Sequence, residues 1–129
     1  MAYSSSPRTW KKCVQNTGAY PWFDWMKNGK INKHCRIYRN DWKEMKVNDI
    51  IYFTGVVSNR YIKTKINGIT IFSTFNEAFK RYDKEMVPYE RLIPEIVDMV
   101  YDDLYTKDED KLDLLKYGVI VLDIEVLEE

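Results

Sequence analysis

Residues 48–72 read NDIIYFTGVVSNRYIKTKINGITIF. Asn48-Asp49 supplies turn chemistry and leads into Ile50-Ile51-Tyr52-Phe53, a β-branched and aromatic run that ends near Gly55. Two more β-rich runs, 61–66 and 69–72, flank Asn67-Gly68, the pair best suited to the positive backbone angles of a two-residue hairpin. Three strands are therefore expected in succession, with no helix between them. That order sets the region apart from the βαβ alternation of a doubly wound sheet.

The flanks extend the pattern. Upstream, residues 10–15 read as a strand ended by Asn16-Thr17-Gly18, and residues 20–28 as a short helix with Trp22, Trp25 and Met26 on one stripe. Gly29 then stands where a left-handed helix end is wanted. Residues 31–39 form the next expected strand, with His34, Arg36 and Tyr38 on a polar face and Cys35 and Ile37 on an apolar one. Downstream, Thr74 and Glu77 have capping-box spacing ahead of a Phe75, Ala78, Phe79 and Tyr82 stripe. Pro94 opens a helix lined by Ile96, Val97, Val100 and Leu104, and Thr106 with Glu109 repeats the capping-box spacing for a third. A strand over 117–127 closes the chain. The expected class is α+β: a small mixed β-pseudobarrel with flanking helices, formed by residues 10–129 as a single domain after a flexible leader over residues 1–9.

The chain has 129 residues, with 20 Lys/Arg and 20 Asp/Glu, so its formal charge is zero. The zero hides an asymmetry: residues 1–66 hold 13 Lys/Arg against 4 Asp/Glu, a net of +9, and residues 67–129 hold 7 against 16, a net of −9. A chain of this size buries enough surface to fold without a disulfide or metal staple. No apolar run approaches the ~20 residues of a membrane span, and no secretory leader is evident, so the expectation is an intracellular protein with no membrane partner. Cys13 and Cys35 are then expected as reduced thiols. His34 and Cys35 point to opposite faces of a strand, which disfavours a shared metal. No glycine-rich phosphate loop is present, so no nucleotide cofactor is expected.

Gly29-Lys30-Ile31-Asn32-Lys33-His34-Cys35-Arg36, followed by Trp42 and by Val47-Asn48-Asp49-Ile50-Ile51-Tyr52-Phe53, resembles the ASCH family of PUA-like pseudobarrels. That family's signature is G-x-K-x-x-E-x-R at a helix-to-strand junction, a G-D turn into a hydrophobic strand, a T-F helix start and a final G-V strand. Gly29, Arg36, Asp49, Thr74-Phe75 and Gly118-Val119 stand in that order, over about residues 20–127. Ile31 occupies the motif lysine position, His34 the glutamate position and Asn48 the turn glycine. The resemblance implies recognition of RNA or a nucleotide. It also admits hydrolysis, either of N4-acetylcytidine or of single-stranded RNA, as in some family members. Glu85 lies roughly where the amidohydrolase-like members keep a further carboxylate.

His34 is the single histidine. An imidazole there suits hydrogen bonding to a base, a phosphate contact or general-base catalysis; the plainer alternative is a satisfied strand histidine. Arg36 suits phosphate or base recognition, or an internal brace. Lys27, Lys30, Lys33, Arg36, Arg39, Lys43 and Lys46 form a basic cluster interleaved with Trp25, Tyr38 and Trp42, the mixture that binds phosphates and stacks unpaired bases. Tyr20, Trp22 and Trp25 are candidates for a stacking wall. The acidic helices after Glu95 read as solvated faces, or as a surface for a basic protein partner. The expected function is RNA or nucleotide binding in a basic, aromatic-lined cleft beside His34 and Arg36. Hydrolysis and a protein-interaction role are the alternatives. Lysine, asparagine and isoleucine usage is compatible with an AT-rich, viral genome.

Overall fold

A computed structural model describes residues 7–14, 21–55, 60–88 and 105–127. Its elements are β1 (Thr9–Val14), α1 (Trp22–Lys27), β2 (Lys33–Ile37), β3 (Ile50–Gly55), β4 (Tyr61–Phe72), α2 (Phe75–Tyr82), α3 (Asp108–Tyr117) and β5 (Val119–Val126). Tyr20, the Asn16-Thr17-Gly18 turn and the helix expected after Pro94 lie outside the described residues. The strands form one curled five-stranded mixed sheet in the order β1-β3-β4-β5-β2. β1 runs parallel to β3, and the other neighbours are antiparallel. The α+β class and the barrel-like sheet expected from the sequence are present.

The Asn67-Gly68 hairpin is not formed. β4 continues through both residues, and the dipeptide is a bulge at which the register with β5 slips between Ile66 and Gly68. The extra residue changes which side chains face inward. Ile62, Thr64 and Ile66 are buried before the bulge, whereas after it Ile69 and Ile71 pair with the buried Leu122 and Ile120. Even positions share the inner face on one side of Asn67-Gly68 and odd positions share it on the other, where Ile69 is half-buried and Ile71, near the strand end, is 45% exposed. A hairpin and a bulge break the period-2 pattern alike, and here β5 pairs along both halves of β4.

Local chemistry sets the remaining boundaries. Gly29 has φ +74 at the end of α1, and Asn48 has φ +80, a left-handed angle that asparagine tolerates better than most residues. Thr74 caps α2 by accepting the Glu77 amide at 3.1 Å. α3 starts one residue later than the Thr106 spacing indicates. Its cap position is Lys107, whose amide donates to Asp110 at 3.3 Å, because Asp110 rather than Glu109 is the acid turned back to the helix start. Gly118 has φ +76, and a Cβ there would lie 2.3 Å from the Phe72 carbonyl oxygen, so only glycine lets the chain turn from α3 into β5.

The inner face of the sheet carries Trp10, Ile51, Phe53, Ile62, Ile66, Ile120 and Leu122, all buried. α2 lays Phe75, Ala78 and Phe79 over the opposite face of β2 and β5, where Cys35, Ile37, Val119 and Val121 are buried. Each fully buried phenylalanine contributes about 2–3 kcal/mol relative to exposure. The expected leader over residues 1–9 runs two residues too far. Ile50 donates its amide to the Arg8 carbonyl at 2.9 Å and Thr9 opens β1, so both belong to the fold.

A candidate binding seam between the sheet edges

β1 and β2 are the two edges of the sheet. Strand alternation places His34 and Arg36 on the inner face of β2, and curling brings that face against β1 and β3. His34 is 6% exposed, with its ring 4.8 Å from Phe53 and 5.7 Å from Trp42. The expected polar face is thus an aromatic interior, a correction that follows from side chains supplied by β3 and by the turn after β2. Nε of Arg36 donates to Nε2 of His34 at 2.9 Å. Arginine only donates, so Nε2 is the acceptor and the imidazole proton sits on Nδ1. Burial, and then the adjacent Arg36 charge, hold the His34 pKa well below its ordinary 6.5. The ring is neutral, and the nitrogen a general base would use is occupied.

Arg36 also ties the edges together. Its Nη2 donates to the Cys13 carbonyl of β1 at 2.6 Å, and its guanidinium lies 4.9 Å from the Trp42 ring. Lys12 of β1 approaches the same ring at 5.1 Å and pairs with Asp41 at 2.8 Å. Trp42 is buried at this seam within a 3-10 turn over Asn40–Lys43. A side chain therefore makes the edge-to-edge bond that a further backbone ladder would make in a closed barrel. Among the described residues, Nη1 of Arg36 has no hydrogen-bond acceptor.

The other predicted site residues divide into three groups. Lys27, Lys30, Lys43 and Lys46 are exposed. Lys43 sits 3.4 Å from the Tyr117 ring and 5.8 Å from that of the half-buried Tyr38. Lys33 lies on the far face of β2 from His34, bound to Glu85 and Asp123 at 3.3 Å each. Glu85 is thereby on the wrong face to assist His34. Arg39 is held by Asp110 at 2.6 Å and Asp113 at 2.9 Å. The acidic helices were expected as solvated faces or as a surface for a basic partner; α3 instead turns Asp110 and Asp113 onto Arg39 of the basic cluster. Trp22 and Trp25 are buried, edge to face at 5.1 Å, and form core rather than a stacking wall.

Three contributors escaped the sequence reading as parts of a site, Lys12, Cys13 and Asp41, whereas Trp42 stood among the aromatics of the basic cluster. Each of the three touches the seam only through the fold. Asp49 was read as a turn residue and is more. Its buried carboxylate accepts Trp10 Nε1 at 3.0 Å, the Arg8 amide at 3.1 Å and the Lys46 amide at 3.0 Å. Burial alone pushes its pKa up, but these donors together with the Arg8 charge outweigh it and leave the pKa lowered. Asp49 anchors the start of β1 beside β3. Cys13 and Cys35 are free thiols, exposed and buried respectively.

No family model matches this chain, and no curated protein does. Solved structures do. The crystal structure of the hypothetical protein PH0355 is similar with a TM-score of 0.74 and 27% identity, covering 92% of this chain and 99% of that one. A solution structure of a Pyrococcus furiosus protein is similar with a TM-score of 0.67 and 22% identity, covering 94% and 99%. The fold is thus one that whole chains of similar length adopt. No helix among the described residues is long and apolar enough to cross a membrane.

Proposed function

We propose that the protein is an RNA-binding domain of the PUA-like, ASCH type that takes a nucleotide at the seam between β1 and β2. The observation that carries this reading is Arg36, fixed by His34 and by the Cys13 carbonyl against Trp42, with its Nη1 donors uncommitted among the described residues. A guanidinium immobilised in this way has lost its rotamer freedom before binding, and it presents donors to phosphate or to a base edge beside an aromatic ring. Exposed Lys30, Lys43 and Lys46 add cations in the same stretch of chain. The ASCH resemblance is supported by Gly29 and Asn48 at positive φ in the positions of the motif and turn glycines, and by Thr74 and Gly118 at a helix cap and a constrained turn.

The site binds rather than reacts. Ile31, in the motif lysine position, is 2% exposed and belongs to the core. His34 has its basic nitrogen engaged. Two carboxylates of α3 are spent on Arg39, which leaves α3 less suited to a basic partner.

Fluorescence anisotropy of a short single-stranded RNA across a salt series tests the proposal. Affinity is expected to fall as salt rises and to weaken about tenfold in Arg36→Gln, with Arg36→Lys intermediate because it keeps the charge but loses the fork. Salt-independent binding, or an Arg36→Gln protein that folds and binds as the wild type does, overturns it. Turnover of N4-acetylcytidine or of the RNA itself, lost in His34→Ala, replaces it with the hydrolase reading.

A further inference from the structure

The half of the sheet formed by β1, β3 and the first part of β4 has an outer face distinct from the seam. Register aligns Lys11 with Tyr52 and Tyr52 with Lys63 in one row across the three strands. The neighbouring rows are Cys13, Thr54 and Tyr61 on one side, and Thr9, Ile50 and Lys65 on the other. Thr9, Lys11, Cys13 and Tyr61 are exposed, the last by 50%, and Ile50, Tyr52, Thr54, Lys63 and Lys65 are partly exposed. Two strand spacings of about 4.8 Å make this patch about 10 Å across. α2 covers the other half of the same face.

The chemistry of the patch is consistent. Tyr52 and Tyr61 meet edge to face at 5.5 Å, and Lys63 lies 6.0 Å from the Tyr52 ring. Among the described residues, Lys11, Lys63 and Lys65 have no carboxylate within salt-bridge distance. Glu125 stands opposite Lys65 in register and accepts from Asn67 at 3.0 Å, which marks the acidic margin of the patch. Among the described residues, three lysines and two tyrosine rings dominate this face, a composition that matches a polyanion carrying flat bases better than an apolar docking partner. The β1 edge joins this face to the seam, because Cys13 presents its side chain to the face and its carbonyl to Arg36.

We infer that this outer face is a second contact surface for single-stranded RNA, in which Lys11, Lys63 and Lys65 contact phosphates while bases stack on Tyr52 and Tyr61. The inference rests on the proposed RNA reading and extends it from a nucleotide at the seam to a strand that crosses the β1 edge.

The test compares uridine monophosphate with an oligouridylate of about ten nucleotides, for wild type, Tyr52→Ala, Lys11→Gln/Lys63→Gln/Lys65→Gln and Arg36→Gln. The oligomer is expected to bind more tightly than the monophosphate. Tyr52→Ala is expected to weaken the oligomer about tenfold and leave the monophosphate unchanged. The triple lysine variant is expected to reduce the salt slope for the oligomer by about 2, at roughly 0.7 per phosphate contact. Equal oligomer binding by the wild type and both sheet-face variants overturns this inference and leaves the seam reading intact. Loss of oligomer binding in these variants together with an unaffected Arg36→Gln protein overturns the seam reading instead. Displacement of the oligomer by polyglutamate at equal charge, with Tyr52→Ala indifferent, shows a surface that reads charge alone and also overturns the inference.

Discussion

Nε of Arg36 donates to Nε2 of His34 at 2.9 Å, across the two-residue spacing that puts both side chains on the inner face of β2. The bond has two consequences. It fixes the guanidinium against Trp42 beside the β1 edge, and it requires the imidazole to stay neutral, since a protonated ring has no lone pair to offer.

The neutral imidazole makes stability depend on pH. The folded-state pKa of His34 lies below 6.5, first through burial and then through Arg36, so below that pH the unfolded chain binds the proton more readily. Stability is expected to be full above pH 6.5 and to decline as the pH falls below it, by up to about 1.4 kcal/mol per pH unit. Urea unfolding between pH 7.5 and 5 checks this. His34→Gln, which keeps an acceptor for Arg36, is expected to flatten that part of the profile; an unchanged profile assigns the effect to another group.

Gly118→Ala is expected to cost about 3 kcal/mol or more, because it combines a glycine-only backbone angle with a Cβ 2.3 Å from the Phe72 oxygen. Gly29→Ala faces open space and is strained only by its φ of +74, for about 1 kcal/mol. Chemical denaturation of the two variants should therefore separate them clearly. Equal costs contradict the close approach of β4 to the start of β5.

Deleting Asn67 removes the bulge and turns Ile69 and Phe72, which both pack against the core, to the wrong faces, which is expected to cost several kcal/mol. Asn67→Ala keeps the register and should cost well under 1 kcal/mol. If the deletion is tolerated, the parity switch at Asn67-Gly68 is not what holds β4 to β5.

Arg39 and Asp110 have side chains 21% and 12% exposed, so their pairing is only partly screened. A double-mutant cycle of Arg39→Ala and Asp110→Asn is expected to give a coupling of about 1 kcal/mol that shrinks with added salt. Zero coupling removes α3 as a brace of the segment after β2.

Strands and turns were legible wherever the deciding chemistry is local: Gly29, Asn48 and the Thr74 cap all occupy the conformations that their residue types favour. The Asn67-Gly68 bulge was not, because the residues that distinguish it from a hairpin, Asp123 and Ile124, arrive from the last strand. The site followed the same division. The faces of β2 could be read by alternation, which put His34 with Arg36 and Lys33 opposite. The polarity of that face could not, since Phe53 and Trp42 reach His34 only through sheet curling. Arg39 counted as a surface cation until α3 supplied Asp110 and Asp113 from 71 and 74 positions away in the sequence. Charge order along the chain thus overstated the free basic surface near β2, and it gave no hint of the Lys11-Tyr52-Lys63 row.

The most direct measurement of the central claim follows the side-chain NMR signals of Arg36 Nε–H and the Trp42 indole N–H while uridine monophosphate is added. Binding at the seam predicts that both signals move together and saturate along one binding curve, with the movement abolished by raised salt. A nucleotide that binds while both signals stay fixed contradicts the account.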